Sequence, residues 1–257
     1  MSDDDHPPVR YDVVDHVATI AFDRPEKLNA ITFAMRDALI ELLQKAATDT
    51  EVRVIVIKGN GRAFTAGVDL KDRPDLMDPS GRSIESDEAE IESAARAWEI
   101  MLKIPKPILV KTHGYCVGWG LEIALHADIV LASEDCQFSY PSVTLGTGLP
   151  DSSTTVYHLG PQWAKRLLMA GEIIDGKRAE RIGLVSEALP AEALDAAIDA
   201  LAERTAAIAP ELLAQSKRII NESVELKGRP TLQTFAVKAN AAARREILVS
   251  EEERSND

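Results

Sequence analysis

The sequence predicts an α/β protein whose last third is almost wholly helical. Two observations carry this. Over the first 135 residues, β-branched runs alternate with segments of helical periodicity. From about residue 154 onward the apolar spacing is helical with few interruptions. The 257 residues permit one large domain or a domain with a helical appendage. The expected division is a core over residues 1–200 and a helical region over 201–257. At this length a fold can bury about 70–75% of the surface its unfolded chain exposes.

Each element has a local reason. Residues 13–22 (VVDHVATIAF) alternate loosely and stop at Asp23-Arg24-Pro25, as a strand or hairpin closed by a proline turn does. Residues 32–47 place Phe33, Leu39, Ile40, Leu42 and Leu43 at helical spacing. Residues 52–58 (VRVIVIK) are a β-branched strand turned by Gly59-Asn60-Gly61, and residues 63–70 are a short apolar segment around a glycine. The polar, acidic run 75–90 reads as a mobile loop leading into a helix that includes 91–102, which Pro105 and Pro107 stop. A strand over 108–111, a glycine-spaced turn over 114–120, a helix over 121–127 and a strand over 129–132 follow. Residues 138–150 form a Gly/Pro-rich connection. Helices are then expected over 154–170, 176–182, 191–209, 211–225 and about 231–250. A β–β–α rhythm is suggested over the first 135 residues, without a sequence repeat.

Charge narrows the function. Twenty-nine Lys and Arg against 42 Asp and Glu give a net charge of −13. Such a surface repels nucleic acid and anionic membranes at long range, so neither is an expected partner. An anionic ligand then needs a local cluster of donors. Cys116 and Cys136 are too few for a disulfide framework and lack metal-ligand spacing. The acidic start MSDDDHPPVR has no apolar stretch, so no secretory signal is expected. The longer apolar runs are broken by charged residues, so no membrane span is expected either. A reduced, cytoplasmic setting follows.

Two segments place backbone amides in sharp turns after a strand: 61–70 (GRAFTAGVDL) and 114–122 (GYCVGWGLE). Glycine permits positive φ and close approach of a ligand to the backbone. A helix opening after such a turn directs its first N–H groups outward, an anion-binding arrangement. Each turn taken singly is also compatible with a plain strand-to-helix connection. Gly118-Trp119-Gly120 begins a dinucleotide fingerprint, but Ile123 stands at the third glycine position. No phosphate-binding loop and no His-Glu-x-x-His pattern occurs, and the five histidines are dispersed, so no metal is expected.

At these turns the sequence resembles the enoyl-CoA hydratase/isomerase (crotonase) family. The resemblance starts at 24–30 (RPEKLNA), runs through both turns and Ala127-Asp128, and extends to 138–150 and 171–189. It covers about residues 10–225 and is specific through its motifs together. It implies a crotonase-like spiral of β–β–α units with a C-terminal helical region used for trimerisation. The assembly would be a homotrimer or homohexamer. It implies an acyl-CoA thioester substrate, with coenzyme A arriving as part of the substrate and no other cofactor. The thioester oxygen would sit between the backbone amides of Val68 and Trp119, with Ala66, Gly67, Asp69, Leu70 and Gly118 around it. A glycine is usual where Trp119 stands, so the ring is expected to narrow or reshape the acyl pocket. Lys27, Leu28 and Ala30 would lie near the CoA adenine and phosphates. Arg24, Lys27, Lys71 and Arg73 are candidate phosphate partners, or solvated surface charges.

The acid–base groups follow the family only in part. Glu122 matches the first of the two glutamates that hydratases of the family use. It also suits a helix first turn for electrostatic reasons alone. The second glutamate aligns with Ser142, which can hold a water but cannot act as a carboxylate. Asp151 is the nearest replacement carboxylate, or a helix N-cap. Tyr140 and His126 are weaker candidates, expected to be structural. Substrate choice is expected to be set in the acidic stretch 85–92. The resulting expectation is an enoyl-CoA hydratase serving fatty acid metabolism. An isomerase, a decarboxylase or a C–C hydrolase is the alternative because of Ser142. A non-catalytic acyl-CoA binding protein is a third reading.

Overall fold

The computed structural model describes residues 7–72, 83–146, 149–150 and 153–255, with 247–255 described as helix alone. β1 (Val9–Val14) and β2 (Val17–Phe22) form an antiparallel hairpin. Its turn residues, Asp15 and His16, have φ of 48° and 68°, the backbone that matches the twist of paired strands. β3 (Val54–Gly59), β4 (Ile108–Thr112), β6 (Ile129–Ser133) and β8 (Glu187–Leu189) add in parallel, in the order β1-β2-β3-β4-β6-β8.

The inner strands read as continuous apolar runs because both sheet faces are covered. On one face Met35, Leu39 and Leu43 of α1 (Phe33–Thr48) share a core with Ile20, Phe22, Ile55, Ile57 and Val110. On the other, Leu194, Ile198, Ala202 and Ala206 of α6 (Ala191–Ala206) pack on Val54, Val56, Leu109 and Leu131. α6 therefore runs through residue 200 as part of the sheet's cover. The purely helical part begins after it, with α7 (Pro210–Glu225) and α8 (Arg229–Ser255).

A second, smaller layer carries the turns. β5 (Tyr115–Val117) pairs in parallel with β7 (Gln137–Ser139). Single bridges join Ile31 to Val68, Thr65 to Cys116 and Phe138 to Ile174. α3 (Trp119–His126) leaves β5 at once, and all eight of its residues are buried. α2 (Ile84–Lys103) and α8 lie against each other through Ile91, Val237 and Ala241. Arg229 of α8 binds Glu99 of α2 at 2.9 Å near one end of this contact.

Three features differ from the sequence expectation. Residues 84–90 of the expected loop are the first turns of α2, because Ser83 and Ser86 form a reciprocal cap and Glu85 and Asp87 suit the helix N-terminus. The rest of that loop, 75–82, lies outside the described residues. The helix expected over 154–170 is α4 (Thr154–Leu168), broken at Gly160 (φ 69°, ψ 169°) because Pro161 has no N–H to continue the ladder. The three-residue strands β5, β7 and β8 are not expected from the sequence, which reads the first as turn and the second as the start of a connection, because so few residues carry no periodicity. α5 (Gly176–Arg181) falls where the spacing places it. Among the described residues no helix is long and apolar enough to cross a membrane.

Candidate active site

The two glycine-bearing turns meet. Thr65 N–H donates to Tyr115 O at 2.9 Å, and Val117 N–H donates to Thr65 O at 3.2 Å. Gly67 (φ +91°) lies so close to the second turn that a Cβ there would stand 2.8 Å from Val117 O. Gly118, with φ +53°, precedes α3 and turns the chain from β5 into the helix. The first turn is held from behind by Ala66 N–H to Leu28 O at 2.9 Å and Ile31 N–H to Gly67 O at 2.7 Å. Val68 sits between the bond to Gly67 O and that from Asp69 N–H to Ile31 O at 2.9 Å, and its own N–H takes part in neither. Trp119 is the first residue of α3, so its amide belongs to the turn whose dipoles point out of the helix.

A pocket opens at this junction. Its wall includes Ala66, Gly67, Val68 and Leu70 from the first turn, and Gly118 and Trp119 from the second. Tyr140 and Ser142 also line it, and Glu90 and Ile91 come from α2. It encloses about 840 Å³ including its open mouth, within the range of small-molecule sites. The acidic stretch expected to set substrate choice thus reaches the pocket, as helix.

The Trp119 ring packs edge-on against Phe33 (5.0 Å) and Trp98 (5.5 Å). The Arg36 guanidinium lies 4.6 Å over Phe33 and 5.7 Å over Trp119. The ring is therefore fixed on the pocket's apolar side, where a glycine would leave a void.

Glu122 is wholly buried one turn into α3. Tyr140 Oη donates to its Oε1 at 3.0 Å. His126, one turn further, has no exposed surface. Its Nδ1 donates to the Glu122 carbonyl at 2.8 Å and its Nε2 meets Thr154 Oγ1 at 3.1 Å. Burial pushes the His126 pKa down to about 3, against the weaker opposing effect of its bond to the Glu122 backbone. The imidazole is therefore neutral, and its 3.8 Å approach to Glu122 Oε2 is not an ion pair.

The remaining candidates divide. Asp69 does not line the pocket, and its carboxylate binds Arg24 at 3.1 Å. Arg24 also donates to Ala30 O at 2.9 Å, so it clasps the first turn rather than waiting as a free phosphate donor. Leu28 (φ 51°) and Ala30 shape the backbone behind that turn. Lys27 and Lys71 are exposed. Arg73 and Asp151 lie outside the described residues.

Sequence reasoning missed Arg244 and Phe33, which also line the pocket. Arg244 comes from α8 and lies 3.8 Å from Asp87 and 3.7 Å from Glu90. Asn240 of the same helix holds Leu149, another wall residue, by bonds of 2.9 and 3.0 Å to its N–H and C=O. No local signal in α8 marks these residues. Among the described residues no group of three or more His, Cys, Asp or Glu could hold a metal ion.

Two converging amide-bearing turns beside a buried carboxylate define a class of site suited to polarising a carbonyl and moving an adjacent proton. The chain belongs to the enoyl-CoA hydratase/isomerase family, whose sequence model matches residues 13–244. It is similar to the 2,3-dehydroadipyl-CoA hydratase of Escherichia coli, 32% identical over 215 residues, covering 82% of this chain and 80% of that protein. It is also similar to the (E)-benzylidenesuccinyl-CoA hydratase of Thauera aromatica, 32% identical over 206 residues, covering 79% and 78%. The solved structure of an enoyl-CoA hydratase from Mycobacterium smegmatis matches with a TM-score of 0.85 at 35% identity, covering 95% of this chain and 87% of that one. The fold is the crotonase fold, and the chain is an enzyme of that family.

Proposed function

We propose that this enzyme hydrates the 2,3 double bond of an enoyl-CoA. The observation that carries the reading is the meeting of the Val68 and Trp119 turns in one pocket wall, with the Glu122–Tyr140 pair beside it. The thioester oxygen accepts hydrogen bonds from the Val68 and Trp119 amides. As water attacks C3, negative charge moves onto that oxygen, and each donor aimed at it lowers the barrier by about 2.7–4 kcal/mol. Glu122 takes up the water's proton, and the Ser142 hydroxyl holds the water. Lys27, Leu28 and Ala30 flank the path of the CoA moiety. Asp151 as a second carboxylate is the competing assignment for the missing glutamate.

The test is mass spectrometry of enoyl-CoAs incubated with the enzyme in heavy water. Gain of one whole D2O supports the hydratase. Ser142, where a carboxylate is expected, favours the second reading: an isomerase, a decarboxylase or a C–C hydrolase using the same enolate. Deuterium uptake without added oxygen, or turnover of β-ketoacyl or malonyl thioesters alone, would establish that reading instead.

We further propose a homotrimer, or a hexamer of two trimers, joined through the C-terminal helices, with the core ending in the link between α6 and α7. Support comes from the exposed apolar residues Leu212, Ile219 and Ile220 on α7 and Phe235 on α8. Light scattering that returns the monomer mass would overturn it. A cytoplasmic setting is proposed on the two free, buried cysteines, and cell fractionation tests it.

A further inference from the structure

The reaction has a gap to bridge between Glu122 and the pocket. Glu122 has no exposed surface and does not line the wall. Tyr140 does line it, as do Val68, Trp119 and Ser142, and its hydroxyl donates to Glu122 Oε1 at 3.0 Å. A phenol both donates and accepts, so it can pass a proton to the carboxylate while taking one from a water. His126 cannot serve in its place. Its two nitrogens are engaged with the Glu122 carbonyl and Thr154, and it is not part of the pocket wall.

We propose that Tyr140 is a catalytic residue, the group through which Glu122 exchanges protons with a thioester in the pocket. The inference rests on the hydratase reading and supplies the acid–base function that Ser142 cannot. In the forward step the water oxygen bonds to C3. One water proton passes to the Tyr140 oxygen as the phenolic proton passes to Glu122 Oε1. The electrons of the double bond move onto the thioester oxygen as an enolate. In the return step the Glu122 proton goes back to Tyr140, and the Tyr140 proton goes to C2 as the enolate collapses. Hydroxyl and hydrogen come from one water, added to one face, and both side chains end as they began. A second carboxylate is not required.

The experiment compares wild type, Tyr140→Phe and Glu122→Gln in two assays. One is hydration of crotonyl-CoA. The other is exchange of the C2 hydrogens of butyryl-CoA with D2O, which needs the enolate but no water addition. Removing a general acid–base group lowers the rate about 10²–10⁴-fold. Tyr140→Phe is expected to lower kcat and the exchange rate by at least about 10², with KM little changed. Fluorinated tyrosines at 140 keep the shape and lower the phenol's pKa. They are expected to change kcat in order of that acidity, which a purely structural hydroxyl would not do. Tyr140→Phe with kcat and exchange near wild type, while Glu122→Gln is inactive in both, would overturn the relay. A rate indifferent to fluorination would do the same. Wild type that exchanges but does not hydrate would fail the hydratase reading alone, and the exchange rates of the two variants would still decide the relay. Wild type inert in both assays would overturn both.

Discussion

A buried polar side chain must be answered by its neighbours, and α3 shows how much of this site follows from that rule. Glu122 and His126 stand one turn apart on a helix with no exposed face. Burial holds His126 neutral, with a folded pKa of about 3 against an ordinary value of 6.5. Between those values the unfolded chain binds a proton that the folded chain refuses. The contribution is complete above about pH 6.5 and is lost as pH falls, by up to about 1.4 kcal/mol per pH unit. His126→Gln is therefore expected to flatten the loss of urea stability between neutral pH and pH 5.5 by one proton, and an unchanged slope would contradict the assignment. Trp119 gives a second prediction. Its ring fills space against Phe33 and Trp98, so Trp119→Ala is expected to cost about 3–5 kcal/mol in a urea melt. Because the backbone amide stays, the variant should retain turnover and gain activity on bulkier acyl chains. Glu122 and Ser142 were singled out through the family resemblance, and their placement, at the α3 start and in the pocket wall respectively, is what the structure adds. The link of Tyr140 to Glu122 was not legible, because it is a contact with α3, 18 residues back in sequence.

Elements reached from afar hold the pocket in shape. α8 contributes Arg244 to the wall and, through Asn240, fixes Leu149. α7 carries a buried cation, and its Asn221 donates to Leu102 O at 3.0 Å. Lys217 Nζ lies 2.8 Å from Asp128, donates to Met101 O at 2.8 Å and reaches Lys106 O at 3.1 Å. Burial pulls the Lys217 pKa down and the Asp128 pKa up, and the pair's mutual attraction opposes both shifts. Removing one member leaves the other buried and unpaired, a loss of about 3–5 kcal/mol. Lys217→Met is expected to destabilise by that order in a denaturant melt, and a change below about 1 kcal/mol would show that α7 is held by other means. Most helices were legible because caps, prolines and apolar spacing act within a few residues. The start of α2 was not, since its cap is a serine pair inside a polar run that also reads as loop.

At the scale of the whole molecule, the packing of the small β5–β7 layer into the main core puts both thiols out of reach. Cys116 and Cys136 are free and buried, and burial raises the first well above its usual range and the second to about 12. Neither is expected to react with a disulfide reagent in the native protein, and both should do so in denaturant. Rapid native reaction of either would indicate a looser core. The covering of both sheet faces explains why α6, read from sequence as a helix that crosses a domain boundary, belongs with the sheet: its apolar stripe completes the second face.

By itself the sequence determined the alternation of strands and helices, the two turns and the position of Glu122. These depend on backbone freedom and side-chain spacing within a few residues. It also carried the family's motifs, since their order along the chain is preserved. Only the tertiary structure decided that Gly67 touches the second turn, that Asp69 is bound to Arg24, and that Arg244 reaches the pocket. It alone set Tyr140 between the buried carboxylate and the space a substrate would fill. Each of these is a contact between residues distant in sequence, fixed by how the layers pack, and no local pattern encodes that distance.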